Sequence, residues 1–276
     1  MSRVDVRKTH KLFIGGAFPR SESGRTYEVT DSKEQFLANM ALASRKDARD
    51  AVLAARSAVA KWSAATAYNR GQVLYRIAEV MEGRREQFIS EVSDSEGVSS
   101  RKAGAHVDAA IDRWVWYAGW ADKYAQVIGN TNPVAGPFFN FSVPEPTGVV
   151  AAVAPQDASI LGLVSVIAPI IVTGNAVIAM PSSSRPIPAI TLAECLATSD
   201  VPAGVVNILT GAPAEVMPWL AEHADVNALD LTGIVDEAVA ADLERSAAGT
   251  VKRVRGAAPH ADWQATPSLS RMRAFV

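Results

Sequence analysis

The chain has 276 residues, 49% of them hydrophobic and 20% charged, with a formal net charge of −2. That length suits one large domain or two modest ones with a substantial core. The near balance of charge gives no broad electrostatic case for nucleic acid or a membrane surface, and one cysteine excludes an internal disulfide and fits a reducing compartment.

The first residues, Met1 to His10, lack the apolar core of a secretion signal. The longest apolar run, Ile160 to Thr173, falls short of the roughly 20 residues of a membrane span. A soluble, cytoplasmic protein is expected.

Up to about residue 131 the pattern after the opening segment is helical. Lys46 to Trp62 places Val52, Ala55, Val59 and Trp62 on one face. Thr66 precedes a second run in which Leu74, Ile77, Ala78, Met81, Phe88 and Val92 recur every three to four residues. A third holds Val107, Ile111, Trp114, Val115 and Ala118. Helical spacing favours core packing for Trp114-Val-Trp-Tyr117 over an aromatic ligand platform.

Asn132 to Pro146 carries four prolines and ends the helical region. Phe139, Phe141 and Val143 alternate with polar residues, which predicts a half-exposed strand. Strands and helices then alternate. Gly148-Val-Val-Ala-Ala-Val-Ala154 reads as a strand buried on both faces. Further strands are expected over 175–180, 204–210, 226–232 and 250–255, with helices over 160–172, 188–198, 214–223 and 236–248. Five strands joined by helical crossovers predict an α/β fold with a doubly wound parallel sheet, whose ligands sit beyond the carboxyl ends of the strands.

Other chemistry is poorly supported. His10, His106, His223 and His260 are scattered, without metal-ligand spacing. Ser182-Ser-Ser184 lacks a nucleophile elbow and is expected to cap the helix that follows. Asp236-Glu237 stands at a predicted helix start, where acids complement the dipole.

Several segments carry a resemblance. Lys11-Leu-Phe-Ile-Gly-Gly-Ala-Phe18, Glu145-Pro-Thr-Gly-Val-Val150, Gly174-Asn175, Val201-Pro-Ala-Gly-Val-Val-Asn-Ile-Leu-Thr-Gly211 and Thr232-Gly233 resemble, in order and spacing, the cofactor domain of NAD(P)-dependent aldehyde dehydrogenases. Tyr68-Asn-Arg-Gly-Gln-Val-Leu-Tyr-Arg76 is similar to the family 16 subgroup, in which an aldehyde dehydrogenase is fused to a degenerate second copy. The resemblance implies a Rossmann-like cofactor-type domain over 1–131 and 147–258, with N-terminal helices. It also implies oligomerisation strands over 132–146 and 262–276.

The departures from that family concern its chemistry. Where its oxyanion-hole asparagine belongs, the turn reads Pro155-Gln-Asp157. A carboxylate accepts and does not donate, and loss of such a donor costs about 2.7–4 kcal/mol. The ribose-holding Lys-Pro-Ser-Glu is Met180-Pro-Ser-Ser183. The pyrophosphate glycine falls at Met217, beside Pro218, and Thr-Gly-Ser becomes Thr232-Gly233-Ile234. The strand that leads to the family's general base reads Val251-Lys-Arg-Val-Arg255, followed by Gly256-Ala-Ala-Pro-His260.

Cys195 lies in Thr191-Leu-Ala-Glu-Cys-Leu-Ala-Thr198, an amphipathic helical stretch in which a cysteine is a small buried hydrophobe. The tail, Arg271 to Val276, resembles the family's far C-terminal strand, as though a catalytic domain had been removed between about Gly256 and Ser268.

The expectation is therefore a non-catalytic subunit with no catalytic residue and no metal site. It would assemble through Phe138 to Val143 with an intact aldehyde dehydrogenase or with itself. Pro155, Ser182, Gly211, Thr232 and Gly233 are the candidate cofactor contacts, and NAD binding, if any, is expected to be weak. A weak NAD-binding regulator and a dehydrogenase completed by a thiol from another chain stand as alternatives.

Overall fold

The structure is a computed structural model that describes residues 7–256 and 267–276. Near the amino terminus β1 (Thr9–His10), β2 (Thr26–Thr30) and β3 (Phe36–Ala41) form a small sheet in the order β1-β3-β2. Between them the chain folds back at Ile14 and Ala17, and Phe13 bridges to Ile208 through two backbone hydrogen bonds of 3.1 and 2.7 Å. This opening hairpin therefore covers an edge of the main sheet, where unpaired amides would otherwise be left exposed.

Four helices follow: α1 (Arg45–Ala64), α2 (Ala67–Gly83), α3 (Arg85–Glu96) and α4 (Ser100–Trp120). Ser44 caps α1 in a reciprocal box with Asp47, Thr66 caps α2 and Ser99 caps α4. The second periodic run is thus two helices rather than one. The backbone leaves helical geometry at Arg84, and both pieces still bury their apolar faces. Trp114 and Tyr117 are buried, in keeping with core packing.

A short α5 (Tyr124–Ile128) leads into β4 (Asn130–Thr131) and β5 (Phe141–Ser142), which pair antiparallel. Here the sequence expectation needs correction. Only Phe141 and Ser142 of the Phe138–Val143 stretch are strand, and Phe138, Phe139, Phe141 and Val143 are all exposed rather than alternately buried. The four prolines limit ladder formation, because each removes a donor.

The main sheet comprises β6 (Val149–Val153), β7 (Ala176–Met180), β8 (Val206–Ile208), β9 (Ala228–Asp230) and β10 (Arg253–Arg255). All its pairings are parallel, in the order β10-β9-β6-β7-β8. Val150 stands opposite Val177 on one side and Ala228 on the other. Every residue of β6 and β7 is buried, as a strand covered on both faces requires.

The crossover helices are α6 (Ile160–Val172), α7 (Ile187–Ala197), α8 (Pro213–Glu222) and α9 (Glu237–Ala248). Helices α6 and α7 share one apolar cluster with α2, α3 and α4, while α8 and α9 share the other with most of α1. Trp62 spans the layers by donating its indole N–H to the Ile171 carbonyl at 2.8 Å.

The tail is the second correction. Leu269–Arg273 forms a helix, α10, capped by Ser268, in place of the expected strand. Met272 and Phe275, three residues apart, are both fully buried in the cluster that contains α6. The Phe275 carbonyl accepts from the Asn175 side chain and from the Thr147 amide. The tail thus belongs to this chain's own core. The stretch Ala257–Thr266, which includes His260 and most of the proposed junction, lies outside the described residues.

Candidate functional site

Parallel sheets bind ligands where the strand order reverses, beyond the carboxyl ends. Here the chain starts at β6, winds outward through β7 and β8, then crosses back to β9 and β10. The crevice therefore opens between β6 and β9, where the chain runs on into α6 and α9. Three of the five sequence candidates, Pro155, Thr232 and Gly233, lie on the loops that frame it, whereas Ser182 lies on the loop after β7 and Gly211 on the loop after the edge strand β8; each is engaged within the protein.

Pro155 is buried and packs against Gly162 of α6. The next residue, Gln156, is the local clamp. Its Nε2 donates to the Ala154 carbonyl at 2.8 Å, and its Oε1 accepts from the Ser183 amide and hydroxyl at 3.0 and 3.2 Å. Ser182 Oγ donates to the Gln156 carbonyl at 2.8 Å. The serine triplet therefore ties the β6 and β7 loops together and does not cap α7, whose N-terminus has Pro186 and no side-chain cap. Asp157 is exposed, and its carbonyl accepts from Arg185.

Gly211 has φ +129°, and a Cβ there would meet Leu42 at 2.8 Å. The position requires glycine for the turn into α8. Gly233 donates its amide to Val153 at 2.9 Å, and a Cβ would stand 2.0 Å from the Ala154 carbonyl oxygen. It is a wedge between the ends of β9 and β6. The Thr232 hydroxyl donates to the buried Asp230 carboxylate and is contacted by Arg255.

Two features escaped the sequence reading. One is the Asp230–Arg255 pair across β9 and β10, with its closest N–O distance 3.5 Å. The other is a cleft of about 230 Å³ between α8 and α9, lined by Pro213, Met217, Pro218, Ile234, Val239 and Leu243, with Asp242 and Ser246 at its polar side. Pro218 inside α8 and the apolar Ile234 after Thr232-Gly233 were the available signals.

A dinucleotide, which the resemblance implies, needs amide donors and positive potential for its phosphates. At α9 the Asp236 carboxylate already accepts from the Ala238 and Val239 amides, at 2.8 and 3.3 Å. At α8 the first helical residue is Pro213, which has no N–H, and the Glu215 amide donates to Ala212. Glu215 and Glu237 add negative charge in the two first turns. The residues present do not fit the phosphates of a dinucleotide.

No thiol faces this mouth. Cys195 is buried on α7, and burial pushes its thiol up to about 11. Glu96, the last residue of α3, reaches the start of α6, where its carboxylate accepts from the Ser159 amide and hydroxyl at 2.8 and 2.6 Å. Its other oxygen meets His106 Nδ1 at 3.0 Å. The serine bonds the glutamate rather than the imidazole, so these three residues form a structural tie and not a nucleophile–base pair. Among the described residues no group of three or more His, Cys, Asp or Glu side chains could hold a metal ion.

Comparisons with known proteins converge. The profile of the aldehyde dehydrogenase family matches residues 18–256. The cytosolic 10-formyltetrahydrofolate dehydrogenase of Xenopus tropicalis is 32% identical over 92% of this chain and 29% of its own length. Aldehyde dehydrogenase, cytosolic 1, of Elephantulus edwardii is 31% identical over 84% of this chain and 47% of its own. The NAD+ complex of an aldehyde dehydrogenase from Bacillus cereus superposes with a TM-score of 0.83 at 26% identity, over 90% of this chain and 50% of that one. The chain thus spans half or less of each of these relatives.

Proposed function

The chain belongs to the aldehyde dehydrogenase family, and from that premise we propose that it serves as a non-catalytic subunit, assembling with copies of itself or with an intact relative. The observation that carries this reading is the site's inventory. The single cysteine is buried on α7, away from the carboxyl mouth of the sheet, and the residues at that mouth are spent on one another. Without an accessible thiolate the covalent step of aldehyde oxidation has no nucleophile within this chain. The kinship with the degenerate second copies of family 16 enzymes is part of the same proposal, as is a cytoplasmic location. No helix among the described residues is long and apolar enough to cross a membrane.

Assembly is supported by the β4–β5 hairpin. Phe138, Phe139 and Phe141 are 74%, 77% and 57% exposed, and Val143 is 61% exposed. The rings of Phe139 and Phe141 lie 5.3 Å apart. A fully buried large aromatic covers about 150–250 Å², so the exposed parts of these three supply about half of the ~800 Å² per partner of a stable interface. Such a surface marks a contact site.

Incubation of the purified chain with NAD+ and a panel of aldehydes, followed at 340 nm, tests the catalytic half. Enzyme-like turnover by this chain alone overturns the reading. Sedimentation velocity of the chain, alone and mixed with an intact aldehyde dehydrogenase from the same source, tests assembly. A species that stays monomeric in both overturns that half.

The burial of Cys195 on α7 favours one second reading. In it, a thiol from another polypeptide enters the mouth of this sheet. Production of NADH only on mixing with a partner would establish that arrangement.

A further inference from the structure

The amino-terminal hairpin carries a cavity of about 250 Å³ whose charged lining residues, Lys11, Arg20 and Arg25, are all cationic. We propose that this cavity binds a small phosphomonoester, such as a phosphorylated polyol. The proposal is independent of the non-catalytic reading, because no lining residue belongs to the loops at the carboxyl mouth of the main sheet.

The local fold gathers the three cations. Lys11 directly follows β1, and Arg25 directly precedes β2. The Leu12 amide donates to the Pro19 carbonyl at 3.0 Å, which sets Arg20 beside the end of β1. The Gly24 amide then donates to the Ser21 carbonyl at 2.9 Å, and the Leu42 amide to the Arg25 carbonyl at 2.9 Å. Those bonds close the turn against the end of β3, whose Ala41 also lines the cavity.

The charge is largely unspent. No Asp or Glu lines the cavity, and neither Lys11 nor Arg20 forms an ion pair among the described residues. The nearest carboxylates on the page are engaged elsewhere. Asp47 accepts from the Ser21 hydroxyl and the Glu22 amide at 2.7 and 3.0 Å. Glu22 pairs with Lys46 at 2.5 Å. Arg25 meets Glu215 at 3.2 Å, with both side chains about half exposed, and a pair so exposed competes weakly with an incoming dianion.

The number and kind of groups set the ligand. Two guanidinium forks match phosphate oxygens in pairs, and Lys11 adds a point charge. Three cations around one small cavity suit a compact dianion better than a diacid, whose two charges stand apart. At roughly 30 Å³ per water-sized group the cavity holds about eight such groups, enough for a phosphate and a short polyol. Thr9 and Thr26 supply hydroxyls for the polyol. His10 also lines the cavity, is 6% exposed, and makes no side-chain hydrogen bond among the described residues.

Isothermal titration of the whole chain with glycerol 3-phosphate, inorganic phosphate, succinate and glycerol tests the proposal. Glycerol 3-phosphate is expected to bind with a Kd of about 0.1–1 mM. Inorganic phosphate and succinate are expected to bind at least about threefold more weakly, and glycerol not at all. In proton NMR the ring resonances of His10, assigned against His10→Gln, should move with glycerol 3-phosphate while those of His106 and His223 stay.

Lys11→Gln and, independently, Arg20→Gln should weaken glycerol 3-phosphate about fivefold or more. Lys61→Gln, which removes a charge outside the cavity, should leave it unchanged. Glu215→Gln releases Arg25 and should tighten binding about two- to fourfold. Thr26→Glu adds a carboxylate to the lining and should abolish binding, with thermal denaturation confirming that each variant folds. No binding of glycerol 3-phosphate, succinate binding as tightly, or equal losses in Lys11→Gln and Lys61→Gln overturns the proposal. None of these outcomes bears on whether the chain turns over aldehydes, so the two readings fail separately.

Discussion

Asp230 on β9 and Arg255 on β10 face one another across the carboxyl end of the sheet, 3.5 Å apart, with side chains only 2% and 17% exposed. The amide and hydroxyl of Thr232 also donate to the same Asp230 oxygen. Taking one partner from a buried ion pair strands the other in a medium that solvates it poorly. Arg255→Met should destabilise the chain by about 2–3 kcal/mol in urea unfolding. That is less than the 3–5 kcal/mol of an isolated buried pair, because Thr232 still satisfies the carboxylate. Replacing both partners, with Asp230→Leu and Arg255→Met, should recover most of the loss. If the double variant is no more stable than Arg255→Met, the charge argument fails.

Gly233 tests the wedge between β9 and β6. A Cβ there would stand 2.0 Å from the Ala154 carbonyl oxygen and 2.9 Å from that of Val153. Both obstacles are backbone atoms of a central strand, so relief requires the strands to part. Gly233→Ala should therefore cost at least the ~1–3 kcal/mol of an overpacked core. Gly249→Ala is the control. Its nearest neighbour, the Ser246 carbonyl, is 3.5 Å away and its φ is −59°. It should be neutral or stabilising by up to about 1 kcal/mol. Equal effects of the two substitutions on the thermal midpoint would contradict the wedge.

How much of this was readable in advance depended on the range of the determining contacts. Gly148–Ala154 announced a doubly buried strand because burial on both faces leaves a continuous apolar run. Asp236-Glu237 announced a helix start because acids there complement a local dipole, and Asp236 proves to be the cap itself. Arg271–Val276 misled because six residues do not separate a period of two from one of 3.6. Met272, Ala274 and Val276 alternate, yet Met272 and Phe275 are the pair that fills the space beside α6. The Ser182–Ser184 triplet misled for another reason. Its partner, Gln156, lies 26 residues earlier on a neighbouring strand's loop, and no local signal names it. The α8–α9 cleft likewise exists only once two separate helices are placed side by side.

Cys195 should behave as a buried methylene-sized group rather than a reactive thiol. Its side chain is fully buried and burial pushes the thiol up to about 11, so little thiolate is present near neutral pH. Ellman's reagent should leave the folded chain unmodified for at least tens of minutes at pH 8 and label one equivalent promptly in guanidinium chloride. Rapid labelling of the folded chain would return Cys195 to candidacy as a nucleophile.

His10 gives the chain a signed dependence on pH. Burial, together with the neighbouring Lys8 charge, lowers its pKa from 6.5 to about 4, while Glu194 works weakly the other way. Above pH 6.5 the imidazole is neutral in both the folded and unfolded chains, so it contributes no pH dependence. Between 6.5 and about 4 the unfolded chain takes up a proton that the folded chain refuses. Stability therefore falls as pH falls, by up to about 1.4 kcal/mol per unit. Glu91, whose pKa burial raises, acts in the opposite sense, because protonation relieves its burial. The informative quantity is therefore the difference between the wild-type chain and His10→Gln, in which the other groups cancel. Urea midpoints at pH 7.5, 6.0 and 5.0 should show the wild-type chain losing stability relative to the variant at each step downward. Parallel curves would mean that His10 titrates as freely in the folded chain as in the unfolded one.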